Sequence, residues 1–149
     1  MQMKSKSEKN QENMLFLAWA VSVIATLGSL YFSEIKQFEP CELCWYQRIL
    51  MYPLTILLGI ASVKKHYGIA LYSAVFSGVG LCLSLYHYLI QKVPFFTSGA
   101  PACGRVPCTG QYINWFGFIT IPFLALIAFI LIFTISLLLL RMNKGVDHK

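Results

Sequence analysis

A chain of 149 residues in which 57% of side chains are hydrophobic and only 12% charged, with a mean hydropathy of +0.63, is too apolar for one small water-soluble domain. An all-α integral membrane domain is the expectation. The formal net charge of +6 is then a question of where the cations sit relative to the membrane.

Met1 to Asn13 carries Lys4, Lys6 and Lys9 and reads as a solvated tail. Met14 to Phe32 follows with no charged residue over 19 positions, enough for a transmembrane helix. A signal peptide is the rival reading of this start, but the run is long for an h-region. Leu27-Gly28-Ser29-Leu30-Tyr31 also offers no clear A-x-A cleavage pattern. A polar stretch, Ser33 to Cys44, ends in Pro40-Cys41-Glu42-Leu43-Cys44. Trp45 to Val63 is apolar except for Arg48, Lys64 to Gly68 reads as a tight turn between antiparallel helices, and Ile69 to Ile90 is uncharged. Gln91 to Asn114 is a second polar loop holding Cys103-Gly104-Arg105-Val106-Pro107-Cys108. The last apolar run, Trp115 to Leu140, has 26 residues. That is about 39 Å of helix against a hydrocarbon core of about 30 Å, so Trp115 to Thr120 is expected at the interface. Pro122 is then expected in a first helical turn, where a missing N–H costs little. Residues 14–140 therefore read as one four-helix bundle between tails 1–13 and 141–149.

Lys4, Lys6, Lys9, Lys64, Lys65, Arg141, Lys144 and Lys149 flank one side, against Lys36, Arg48, Lys92 and Arg105 on the other. That bias places both termini in the cytoplasm and both cysteine loops outside, where disulfides persist. It also accounts for the net charge, so no nucleic-acid partner is expected. Trp45, Tyr46, Tyr112 and Trp115 flank the outer boundary as an aromatic belt does.

Four outward cysteines suit structural staples, a zinc site or redox pairs. Closing Cys41 to Cys44 or Cys103 to Cys108 would stabilise by roughly 2 kcal/mol, whereas a bridge between the loops would give roughly 4 kcal/mol. Local pairs are therefore poor staples, and are better suited to being reduced and reoxidised. A tetrahedral thiolate zinc site is chemically possible, but 58 residues separate Cys44 from Cys103. Cys44 is expected in or next to the first turn of the second helix, where free N–H groups and the positive dipole end favour a thiolate. Arg48, four residues on, shares its helical face about 6 Å deeper. A cation there is repelled by the dipole and is costly in a membrane segment, so it calls for a partner: the Cys44 thiolate, or an oxygen anion on a bound electron acceptor. An Arg snorkelling to water is the plainer alternative. Cys82 has no cysteine partner in sequence and reads as a small buried hydrophobe.

Pro40-Cys41-Glu42-Leu43-Cys44-Trp45-Tyr46-Gln47-Arg48, four helices and a second outer cysteine pair resemble the DsbB family of quinone-coupled disulfide-forming membrane proteins. The close spacing of Cys103 and Cys108, followed by Gln111-Tyr112-Ile113-Asn114-Trp115-Phe116-Gly117, resembles its short, BdbC-like form. The resemblance spans Met14 to Leu140 and departs from longer members in the second loop, which in those members is much longer. It implies a protein-disulfide oxidoreductase of the bacterial cytoplasmic membrane that supports disulfide formation in exported proteins. A soluble extracytoplasmic thioredoxin-like partner, of the DsbA or BdbD type, would reduce Cys103-Cys108. Electrons would pass to Cys41-Cys44 and on to a membrane quinone, menaquinone or ubiquinone. The resemblance also places His87, in Tyr86-His87-Tyr88-Leu89-Ile90-Gln91, beside the quinone with Arg48. A thiolate metal-binding module or assembly factor is the leading non-enzyme alternative. A reductase resembling vitamin K epoxide reductase is another, although that family places its active pair at a different helix.

Overall fold

The computed structural model describes residues 2–37, 39–93, 95, 116 and 120–147. Four long helices succeed one another: α1 (Gln2–Leu30), α2 (Glu42–Lys64), α3 (Ile69–Lys92) and α4 (Ile121–Asp147). Each contains a window long and apolar enough to cross a membrane. Cys103 and Cys108 lie outside the described residues, as do Arg105, Tyr112 and Trp115.

The helix boundaries have local causes. A wide π turn (Tyr31–Ile35), closed by a bond from the Lys36 N–H to the Tyr31 carbonyl, ends α1, and Gln37 then takes a left-handed φ of 56°. Lys65, also left-handed at φ 53°, stops α2. α4 starts at Ile121 with Thr120 accepting its first bond, which puts Pro122 in the first turn as expected. At the other terminus α1 is helical from Gln2, and Glu12 meets Lys65 at 2.8 Å. That contact sets the start of α1 beside the α2–α3 turn. The opposite end of the bundle gathers the end of α1, the start of α2, the end of α3 and the start of α4.

The helices form a closed ring in which α1 packs on α2 and α4, and α3 does the same. Among lipid-facing helices the hydrophobic effect gives little drive to associate, so close approach and internal hydrogen bonds take its place. α3 supplies both, because Ala70, Ser73, Ala74, Ser77, Gly80 and Ser84 make one buried face of small side chains. Ser73 and Ser136 share a hydrogen bond of 2.7 Å across α3 and α4. The wholly buried Phe129 ring lies over Gly80, where any Cβ would collide with it. Thr26 and Thr55 tie α1 to α2 at 3.0 Å, and the Trp19 indole rests on Gly59. The perimeter is apolar instead: Ile24, Ile56 and Val63 are 71%, 64% and 84% exposed.

This inversion corrects the reading of Cys82. It is exposed on the outer face of α3, in line with Val75 and Val79, because a small apolar side chain loses nothing by facing lipid.

Gly80 provides a test of the packing. Gly→Ala inside a helix ordinarily stabilises by about 0.5–1 kcal/mol. Here the overpacking against Phe129 is expected to dominate, so Gly80→Ala should lose about 1–3 kcal/mol in heat or detergent unfolding of the purified protein. Gly28→Ala, whose added methyl meets nothing within 4 Å, should be neutral or mildly stabilising. Wild-type stability in Gly80→Ala would mean that Phe129 moves aside freely.

Candidate active site

Pro40 favours an extended approach to α2, and Cys41 follows in extended geometry, φ −72° and ψ 170°, as the residue just before the helix. Its carbonyl accepts the first helical bond, from the Trp45 N–H at 3.1 Å. Cys44 is therefore the third residue of α2, within the turn whose N–H groups have no intrahelical acceptor. The two Sγ atoms lie 3.3 Å apart, with Cys41 as donor and Cys44 as acceptor. Cys41 is buried and Cys44 half-buried.

The Cys41 thiol is pushed up to about 12, first because it is held in the hydrogen bond to Cys44 and then because it is buried. His87 acts in the opposite sense more weakly. Cys41 thus keeps its proton and offers it to Cys44.

α3 brings the third member. His87 is buried, with Nε2 3.6 Å from Cys41 Sγ and Nδ1 3.4 Å from Nε2 of the buried Gln47. The ring is thus held at both nitrogens, one contact to the thiol pair and the other to α2. Cys41, Cys44 and His87 place one ligand-type atom each within 4.8 Å of one another.

Arg48 reaches across to α1. Its Nε donates to Ser29 Oγ at 2.9 Å and its Nη2 to the Ser29 carbonyl at 3.1 Å, while its guanidinium carbon sits 5.7 Å from the Trp45 ring centroid. A guanidinium has five donors, so these two bonds fix its plane without exhausting it. Arg48, both cysteines and His87 line one cavity of about 480 Å³. It runs from Ser33 in the π turn back to Val21 of α1, and from Thr120 to Leu131 along the start of α4, about 16 Å on the α4 side, with an apolar lining beyond its cysteine end. Tyr52 and Thr120 also line it, and their hydroxyls have no hydrogen-bond partner among the described residues.

The structure thus brings Cys41, Cys44, Arg48 and His87 of the sequence-derived site together at one end of the bundle. Sequence reasoning passed over Gln47, Ser29, Tyr52 and Thr120. Gln47 alone carried a usable signal, since a side-chain amide inside an apolar segment demands a partner. Ser29 had none, because its role depends on the register of α1 against α2.

A family model described as disulfide bond formation protein DsbB matches residues 11–139, reaching all four helices. A probable disulfide formation protein C 1 of Bacillus anthracis is 65% identical over 137 residues, 92% of this chain and 98% of the relative. A probable disulfide formation protein C of Halalkalibacterium halodurans is 62% identical over 133 residues, 89% and 97% of the two chains. The disulfide bond formation protein C of Bacillus subtilis is 58% identical over 131 residues, 88% and 95%. No solved structure matches the chain significantly. With the family model matched over residues 11–139 and relatives this similar over almost their whole length, the chain belongs to the DsbB family.

Proposed function

We propose that the protein is a membrane oxidoreductase that reoxidises a soluble thioredoxin-like dithiol protein and passes the two electrons to a membrane quinone, supporting disulfide formation in exported proteins. The observation that carries this is the dithiol of Cys41 and Cys44 at the polar end of an apolar cavity, with His87 and Arg48 beside it. The relatives' names as disulfide formation proteins agree with it. The bias of Lys and Arg to one set of flanks supports cytoplasmic termini and outward cysteine loops in a bacterial cytoplasmic membrane.

Each step is thiolate attack on a disulfide. A thiolate of the partner attacks Cys103 and releases Cys108, and the partner's second thiol resolves that mixed disulfide. Cys108 then attacks Cys41 of the oxidised Cys41-Cys44 pair, leaving Cys44 as the departing thiolate, and Cys103 frees Cys41 by closing on Cys108. The hydrogen bond from Cys41 to Cys44 supports this direction, since Cys44 is its acceptor. Two electrons and two protons have moved to the inner pair.

The cavity residues fit a quinone. A headgroup oxygen requires donors, which the Arg48 guanidinium and the unpartnered hydroxyls of Tyr52 and Thr120 offer, and an isoprenoid tail requires the apolar lining beyond. When bound, a quinone supplies a two-electron, two-proton acceptor. The chain's own contribution is to hold Cys44 rigidly in the first helical turn, keep His87 within proton reach of Cys41, and set a fixed positive charge on the wall.

The division between the pairs is tested by two variants. Cys103→Ser should abolish oxidation of the partner protein yet leave quinone reduction by a small dithiol measurable, whereas Cys44→Ser should abolish both. Equal loss of both activities in both variants would overturn the proposed order.

The inner pair also predicts an alkylation order. A raised thiol pKa favours the neutral form, so Cys41 should stay protonated through neutral and mildly alkaline pH and ionise only toward pH 12. In the reduced protein iodoacetamide should therefore label Cys44 well before Cys41 at pH 7 to 9, read by peptide mass. Preferential labelling of Cys41 would contradict the assignment of charge to Cys44.

Arg48→Leu keeps a helix-forming, lipid-compatible side chain, so insertion should survive. Losing a charge-assisted contact of about 1.5–3 kcal/mol should slow quinone-dependent turnover by roughly one to two orders of magnitude, with partial recovery in Arg48→Lys. The first equivalent of partner should still be oxidised, because the preformed disulfides need no acceptor for one turnover. An Arg48→Leu rate equal to wild type at limiting quinone would reduce Arg48 to an interfacial anchor.

A further inference from the structure

We propose that Cys41, Cys44 and His87 form a redox-gated site for a thiophilic divalent cation of the zinc and cadmium class, which holds the reduced protein in an inhibited state. The inference rests on reading Cys41 and Cys44 as a reversible dithiol. It differs from a four-thiolate zinc centre in needing neither Cys103 nor Cys108.

The geometry is that of a three-ligand site. Around a tetrahedral zinc with Zn–S of about 2.3 Å and Zn–N of about 2.0–2.1 Å, neighbouring sulfurs stand about 3.8 Å apart and a sulfur and nitrogen about 3.5 Å apart. Here the sulfurs are 3.3 Å apart, Cys41 Sγ and His87 Nε2 are 3.6 Å apart, and all three atoms fall within 4.8 Å of one another. An ion at their centre therefore needs the two sulfurs to part by about 0.5 Å and Cys44 Sγ to close on the His87 ring from a separation that lies within 4.8 Å. All three residues line the cavity, which leaves a fourth position for water, the pattern of an open metal site.

The surroundings suit the ion as well. A histidine that binds a metal through Nε2 must carry its proton on Nδ1 and give it to an acceptor. Gln47 already stands at Nδ1, 3.4 Å away, and turning its amide over presents Oε1 in place of Nε2. Two thiolates neutralise a divalent cation, so Arg48 does not oppose it. Glu39, exposed on the cavity lining, and Glu42, exposed in the first turn of α2, give the approach a negative potential.

Binding changes no oxidation state. The cation displaces one proton from each thiol, two metal–sulfur bonds form, and two protons enter the medium. A closed disulfide has no thiolate to give, so oxidation excludes the ion. Conversely, a bound ion occupies both sulfurs and prevents the bridge from closing until a chelator removes it.

The test uses the full chain in lipid nanodiscs, reduced with a phosphine and desalted, and titrated with Cd²⁺ while the ultraviolet thiolate-to-cadmium absorption is followed. One equivalent should bind the reduced Cys103→Ser/Cys108→Ser double variant, which has no second dithiol to compete, and none the same variant once its Cys41-Cys44 bridge has been closed by oxidation. Gln47→Leu should weaken binding by about 10–100-fold. His87→Ala should weaken it further, with His87→Gln as the variant that keeps a buried polar side chain and far-ultraviolet circular dichroism reporting that each variant is helical. Cadmium bound equally by the oxidised protein, unchanged affinity in both His87 variants, or loss of binding in the double variant would overturn the site. Thiol counting on metal-free samples separates this from the redox reading: a Cys41-Cys44 bridge that closes normally in a protein that binds no cadmium defeats the metal site alone, and a bridge that never closes defeats the redox reading.

Discussion

The approach of α3 to its neighbours along a face of small side chains is the contact on which the site depends. Ala70, Ser73, Ala74, Ser77, Gly80 and Ser84 leave room for backbones to close in, and His87 is the next buried residue along that face. A side chain as large as imidazole reaches a thiol on another helix only if the two axes are near and the register is right. Phe129 over Gly80 and the Ser73–Ser136 bond fix that register from the α4 side. The chemistry at one end of the bundle is thus set by packing several turns away.

A second constraint is the cost of a cation in an apolar segment. Arg48 meets it with two bonds to Ser29 and with the Trp45 ring, so the charge is held by α1 and its own helix. Fixing it in this way makes it a static part of the cavity wall. A preorganised charge stabilises a developing anion without having to reorient, which is worth more in a low-dielectric cavity than in water. The hydroxyls of Tyr52 and Thr120 belong to residues that line the same cavity.

The helices were legible in the sequence because a bilayer imposes a length and a composition that survive without tertiary information. The position of Cys44 in a first turn and of Pro122 in another followed from local backbone chemistry, and both appear in the structure. The contact of His87 with Cys41 was not legible, because its two partners are 46 residues apart and meet only through the rotation of α3. Family resemblance suggested where His87 belongs but not that its ring is clamped between a thiol and an amide. Cys82 went wrong for a different reason: apolarity indicates burial in water, and in a membrane it indicates either face. Ser22, Ser77 and Ser84 show the other half of that rule, since their hydroxyls bond to carbonyls within their own helices and are thereby buried without partners across the bundle.

The position of the dithiol across the start of α2 has a mechanical consequence. Cys41 stands just outside the helix in extended backbone, its carbonyl accepting the first helical bond and its thiol donating to Cys44, whereas Cys44 is embedded in the helical ladder. One sulfur sits ahead of the helix and the other within its first turn. In the proposed exchange a sulfur must swing to line up with an incoming thiol, and this would fall to Cys41, which the helical ladder does not hold. Handing electrons onward, as proposed, would ask for a sulfur that keeps its place in the cavity wall, and this would fall to Cys44. The two proposed roles would then be separated by backbone conformation, with the helix boundary falling between the cysteines.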